Sequence, residues 1–450
     1  MRLLSLMAVL ALSACAPSAQ VSKARPTAAT EVSFAPLQGF APHGSSRSNA
    51  EIARDFLDLS FAMESGRSLP IFTRFEGPIS IRLAGDVPPT APRDLAVLIA
   101  RLQSEAGLPV SLASREDASI TVEFVPRAAL RRMAPQAACF VVPNVSSLAE
   151  YRSRRGSEAV DWGAVTRRTR AAIFVPADTS PQEVRDCLHE EIAQAIGPLN
   201  DLYRLPDSVF NDDNFNSVLT AFDMLILRIY YAPELRSGMT RDTAAALVPG
   251  LVARMNPAGS GMGGQSAGPT PRDWTAAIET ALGRKGNTAA RLRAAERAVS
   301  IAQSEGWADN RLAFSYFALG RLSAGSDQTR ALGAFSAAAA IYARQPGGEV
   351  HVAHIEMQLA AMALGTGSPT EAIRLADHAI PIVQRHENAA LLATLMLIKA
   401  EAMDKLGDSV GAAALRLDSQ PWARYGFGSD TVVKARMRDI AAVASGVGKG

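Results

Sequence analysis

The chain has 450 residues, 48% of them hydrophobic and 20% charged, a composition ordinary for globular protein and sufficient for two or three domains with cores of their own. The 46 Lys and Arg are nearly balanced by 44 Asp and Glu, so no electrostatic excess draws the chain to nucleic acid, which is not an expected partner.

Arg2 precedes an apolar run from Leu3 to Leu12 that is too short to span a bilayer. The run exits through Leu12-Ser13-Ala14-Cys15, which resembles a bacterial lipobox and implies a lipoprotein signal peptide over residues 1–15, with Cys15 left to carry the lipid. An ordinary secretory signal cut nearby is the alternative. By analogy with sorting signals, Ala16 rather than Asp after the cysteine implies a cell-envelope protein anchored in the outer membrane and facing the periplasm. With Cys15 lipidated, Cys139 and Cys187 remain, and in an oxidising compartment they are expected to pair; two buried thiols are the other possibility.

Residues 16–50 are rich in Ala, Pro, Ser and Gly and read as a flexible tether. Globular patterning begins near residue 51. Ile52, Ala53, Phe56, Leu57 and Leu59 have helical spacing, Ile79-x-Ile81-x-Leu83 alternates as a strand does, and Leu95 to Ala106 is again helical. Val110-x-Leu112 and Ile120-x-Val122-x-Phe124 predict two further strands, and Ala171 to Val175 a buried one. Ser180-Pro181-Gln182-Glu183 then supplies an N-cap, a first-turn proline and a capping-box glutamate, and Gly197-Pro198 a stop. On the helix between them Val184, Leu188, Ile192, Ala195 and Ile196 form an apolar stripe, while Cys187, Glu190, Gln194 and, at the edge, Glu191 gather on another face.

The stretch from Glu190 to Asn200 has the spacing of the zinc-protease motif H-E-x-x-H-x-x-G-x-x-H. Glu191 and Gly197 occupy the base and turn positions, but the ligand positions read Glu190, Gln194 and Asn200. Downstream, Ser208-Val209-Phe210 stands where such enzymes place a methionine turn, followed by Leu219-Thr220-x-x-Asp223 and a helix ending at Tyr230-Tyr231. On these residues the segment 51–255 resembles a metzincin of the matrixin type with a degenerate metal site. The core Glu-Glu-x-x-Gln-x-x-Gly-x-x-Asn-Asp also resembles a family of bacterial lipoproteins known only as a domain of unknown function. That resemblance implies a zincin-like α+β domain and no assigned activity.

Without imidazoles, zinc is not expected, and neither is any other cofactor. Glu190, Gln194, Asn200 and Asp201 offer oxygens that suit a hard cation, but a carboxylate–amide hydrogen-bond network filling the vacated pocket is the preferred reading. His189 faces about 140° away from Gln194 and reads as a buried, hydrogen-bonded histidine. Asp207, Asp212, Asp213 and Asn214 read as a turn-forming cluster.

A Gly/Pro/Ser-rich stretch at 256–272 is expected to link this domain to an all-α one at 273–450. There the pairs Ala298/Ile301, Ala338/Ile341 and Ala379/Ile382 recur at spacings of 40 and 41, with Gly320, Gly365 and Gly407 expected to close the partner helices. These units resemble tetratricopeptide hairpins, although they are longer than the usual repeat of roughly 34 residues. The leading functional expectation is a non-catalytic binding protein: membrane contact through lipid on Cys15, protein contact through the repeats, and Glu190, Gln194, Asn200 and Asp201 lining the motif cleft. A hydrolase using Glu191 as general base is the alternative, and a purely structural tether is a third reading.

Overall fold

The computed structural model of the protein describes residues 47–114, 117–264 and 268–445. The expected signal segment, Cys15 and most of the tether lie outside the described residues. The described chain forms two compact units, residues 47–202 with 207–264, and residues 203–206 with 268–445. The first is α+β and the second is helical.

The α+β unit opens with α1 (Asn49–Ser60), whose N-terminus is closed reciprocally by Ser48 and Glu51 and whose Ile52, Phe56 and Leu59 are fully buried. There follow β1 (Ile79–Gly85), α2 (Ala91–Ala106), β2 (Val110–Leu112), β3 (Ile120–Val125), α3 (Arg127–Met133), β4 (Phe140–Pro143), α4 (Leu148–Arg154), β5 (Ala171–Pro176), α5 (Pro181–Ile196), α6 (Ala221–Tyr230) and α7 (Arg241–Met255). The strands make one sheet in the order β2-β1-β3-β5-β4, parallel except for β4, which runs antiparallel to β5.

Every residue of β5 is buried, as befits an interior strand covered on both faces. Ala172 and Phe174 pack with Leu130, Val142 and Leu148. The alternate residues Ala171, Ile173 and Val175 are as deeply buried on the opposite face. Helix α5 packs on β4 and β5, and the disulfide between Cys139, just before β4, and Cys187 on α5 joins them across a sequence separation of 48. The elements β4, α3 and α4 are four to seven residues long, too short for their periodicity to announce them. Asn256, at the start of the Gly/Pro/Ser-rich stretch, is wholly buried and donates to the Asn49 side chain (3.0 Å), so that stretch begins inside the packed unit.

The helical unit contains α8 (Arg272–Leu282), α9 (Thr288–Ser304), α10 (Asn310–Ser323), α11 (Gln328–Tyr342), α12 (Glu349–Gly365), α13 (Pro369–Arg385), α14 (Ala389–Lys405), α15 (Ser409–Phe427) and α16 (Asp430–Ala444). Short connections make consecutive helices antiparallel neighbours. The leading helices of successive hairpins start at residues 288, 328, 369 and 409, which reproduces the spacing of the alanine pairs. Ala298, Ala338 and Ala379 are each fully buried, where a side chain of one methyl group lets neighbouring helices approach.

Gly320 departs from expectation: it lies inside α10 and does not close it, and its role is close packing, since a Cβ there would come within 2.8 Å of the Phe335 ring. Gly365 is the last residue of α12, and Gly407 follows α14 with φ of 90°. Among the described residues no helix is long and apolar enough to cross a membrane.

Candidate functional site

Helix α5 carries the motif, and its ends are set by local chemistry. The Ser180 hydroxyl accepts from Glu183 N at 3.2 Å, but the Glu183 carboxylate does not return to the cap; it takes Arg127 at 2.6 Å and Thr179. At the C-terminus, the buried Arg168 guanidinium donates to the carbonyls of Gln194 (2.8 Å) and Ala195 (2.9 Å), and Tyr231 donates its hydroxyl to that of Ile196 (2.9 Å). A cation at the negative end of a helix is favoured, and here it also satisfies carbonyls that have no intrahelical partner. Gly197 is required by close packing rather than by a left-handed turn: a Cβ would fall 2.6 Å from Leu227 on α6.

The stripe Val184, Leu188, Ile192, Ala195 and Ile196 is fully buried, which aims the opposite edge of the helix at the segment after α1. That segment turns back at Ala62 and Ser68 and lies beside Leu199 through a bridge from Met63 and a hydrogen bond from Glu64 N to Leu199 O (3.3 Å). Glu64 is thereby brought to the motif, where its carboxylate accepts from Gln194 Nε2 at 3.0 Å. Glu64, Asp201 and Asp212 each present a carboxylate oxygen within 4.8 Å of the others. Glu64 and Asp212 are exposed and Asp201 is half-buried, with a side-chain hydrogen bond to Glu64.

Electrostatics around these groups are one-sided. Glu190 is half-buried, and its pKa is pushed up to about 8, first by desolvation and then by Glu64, Asp212 and Asp186. Glu191 is 4% exposed, its Oε2 has no hydrogen-bond partner, and burial with the charges of Glu190 and Glu64 holds its carboxyl well above the usual range. Burial, Glu64, Asp212 and Glu190 raise Asp201 likewise, and its Oδ1 is buried without a partner. The hydrogen-bond network expected to fill the pocket is therefore sparse, with Gln194 the amide that reaches Glu64.

The remaining motif residues are placed elsewhere. Asn200 donates its amide to Asp58 O at 2.9 Å, so it braces the end of α1. His189 is buried; its Nδ1 accepts from Leu219 N at 3.1 Å, and desolvation with Arg101 and Arg185 nearby keeps the ring neutral. The turn Ser208-Val209-Phe210 is fastened to the start of α6 by Asp223, which accepts from Ser208 Oγ, Val209 N (3.1 Å) and Thr220 N (2.8 Å), while Phe210 is fully buried. Of the acidic run, Asp207 pairs with Arg47, Asp213 caps Phe215 N, and Asn214 takes a φ of 59°, as turn residues do. Asp212 joins the carboxylate cluster. Glu64 and Arg168 had no signal in the sequence, since each lies more than 20 residues from the motif and no spacing rule spans such loops.

Residues 49–250 match the family described as a protein of unknown function, DUF2927. The match begins with α1 and ends inside α7. No curated protein and no solved structure matches the chain.

Proposed function

We propose that the protein is a cell-envelope lipoprotein, anchored through Cys15 in the outer membrane and facing the periplasm, whose α+β unit is a zinc-less metzincin-like module that binds rather than cuts. Its tetratricopeptide-like hairpins would supply the surface for a protein partner. The lipobox resemblance supports the anchor. The order of strands, the helix following β5 and the Ser208–Phe210 turn before α6 support the metzincin kinship.

The observation that carries the non-catalytic reading is the fate of the three ligand positions. Glu190 offers a carboxyl, the Gln194 amide is committed to Glu64, and the Asn200 amide to Asp58. No imidazole joins them, because Nδ1 of His189 is engaged by Leu219. A catalytic zinc ion lowers the pKa of its bound water to about 7, and such sites are held by imidazole or thiolate ligands, alone or with a carboxylate. The hydrolase alternative needs Glu191 ionised at working pH, and its surroundings favour the protonated acid instead.

Elemental analysis of protein purified without chelators should find less than about 0.1 equivalent of zinc, given this donor set. Stoichiometric zinc would overturn the reading. Glu191→Gln should leave the phenotype of the intact gene unchanged; a loss equal to that of full deletion, at unchanged melting temperature, would establish chemistry at Glu191.

A further inference from the structure

We infer that Glu64, Asp201 and Asp212 form a binding site for one hard divalent cation of the calcium class, flanked by Glu190 and backed by Glu191. The inference goes beyond the non-catalytic reading and does not depend on the anchor or on any partner.

Geometry comes first. Calcium holds oxygens at 2.3–2.6 Å, so ligands on opposite sides of one ion stand roughly 5 Å apart. The three carboxylates present oxygens within 4.8 Å of one another, close enough to share one ion. They come from three separate places: the turn after α1, the residue just past the Asn200 brace, and the acidic run before α6. Each is fixed by contacts of its own segment, Glu64 through Leu199 O, its neighbour Asn200 through Asp58 O, and the Asp212 run through the turn at Asp213 and Asn214.

Charge supplies the second, independent observation. Neither Glu64 nor Asp201 makes an ion pair with Lys or Arg among the described residues, and Gln194 alone donates an amide to them. Asp201 Oδ1 is itself buried without a hydrogen-bond partner, and the Glu191 carboxyl, one turn before Gln194 on α5, is 4% exposed with a second unpartnered oxygen. A buried carboxylate oxygen without a partner is costly, and a cation held by the three clustered carboxylates would supply one.

Donor chemistry selects the ion. The set is all oxygen, the nearby sulfur of Cys187 is locked in the disulfide, and His189 is occupied, so the site suits a hard cation and not zinc. Exposure of Glu64 and Asp212 leaves room for water ligands, which fits the weaker, open sites of extracellular calcium modules, with a Kd on the order of 0.1–1 mM.

The test uses the full chain in detergent, stripped with chelator and titrated with calcium chloride, with heat of binding and melting temperature as readouts. One equivalent should bind with a rise in melting temperature, and Asp201→Asn should weaken affinity at least about tenfold, since ligand charge count sets affinity in such sites. Should Asp201→Asn fail to fold, Glu64→Gln and Asp212→Asn, both at exposed positions, must each weaken binding. Glu349→Gln, in the helical unit, should leave it unchanged. Absence of heat and of any thermal shift up to about 10 mM calcium or magnesium, beyond the weak end of known calcium modules, overturns the site. Calcium binding unaltered by Glu64→Gln and Asp212→Asn overturns it as well. Zinc content is measured separately, so failure here leaves the non-catalytic reading standing or falling on its own data.

Discussion

The two units bury different things. In the helical unit the interior is built on alanines such as Ala298, Ala338, Ala376 and Ala379, so helices stack on small residues and the chain repeats itself every 40 or 41 positions. The α+β unit buries ionisable groups: Glu191 at 4% exposure, Asp223 and Asp55 at 0%, and the guanidiniums of Arg74 and Arg168 at 4%. Asp55 is paired with Arg47, Arg168 spans helix carbonyls, and Asp223 holds a turn, but Glu191 is left with an unpartnered oxygen. Asp201, beside it at the motif, likewise has a buried oxygen without a partner, so two unsatisfied acids gather where the other buried charges are satisfied. The helical unit buries fewer such groups, among them Arg311, His351 and His354.

The disulfide is the strongest lever on that contrast. Cys187→Ser should destabilise the α+β unit by about 2–4 kcal/mol, the value for releasing a loop of nearly fifty residues, while hydrogen exchange in residues 288–445 stays unchanged. Thiol labelling of unfolded, unreduced protein should find no reactive Cys139 or Cys187. Two titratable thiols there would remove the bridge and the asymmetry with it.

Opposite responses to pH sharpen the comparison. Glu190 has its pKa raised to about 8 in the folded state, so the stability it contributes is complete below the unfolded value near 4.5 and is lost as pH rises through about 8. In the helical unit, burial with His351, Arg321 and His386 nearby depresses His354 to about 3, so its contribution is complete above the unfolded value near 6.5 and is lost as pH falls through about 3. Denaturant unfolding in chelator should therefore show the α+β unit weakening between pH 5 and 8 and the helical unit weakening between pH 6.5 and 3, each by roughly 1–3 kcal/mol. Glu190→Gln should flatten the first slope and His354→Gln the second. Parallel slopes in both units would dissolve the distinction.

The smallest effect tests the alanine-and-glycine packing. Helix propensity alone favours Gly320→Ala by up to about 1 kcal/mol. Against the buried Phe335 ring the substitution should instead cost about 1 kcal/mol, read as a lower denaturation midpoint at unchanged slope. A stabilised Gly320→Ala would mean that α10 and α11 are not tightly packed.

Much of the architecture was legible because it is periodic and local. The alternation at Ile79–Leu83 and Ile120–Phe124 marks strands, Ser180-Pro181 marks where α5 starts, and the spacing of Ala298, Ala338 and Ala379 marks the hairpins. The short elements α3, α4 and β4 carried too few turns or alternations to register. Within the motif the sequence placed Glu190, Glu191 and Gln194 on one helix, but it could not foresee that Asn200 turns toward Asp58 while its neighbour Asp201 takes the place beside Glu64.

By itself the sequence determined the helix that carries the motif and the absence of imidazole from Glu190, Gln194 and Asn200, since each depends on residue type and short-range spacing; the bridge between Cys139 and Cys187 was one of two expectations until the fold brought them together. Tertiary structure alone decided that Glu64, Asp201 and Asp212 meet, because their meeting depends on how a turn after α1 lies against Leu199 and how the run before α6 folds back. Residues separated by 137 and 11 positions have no spacing rule to join them. Their proximity follows from the packing of α5 on the sheet, which buries the apolar stripe of that helix and leaves its carboxylate edge facing the loops.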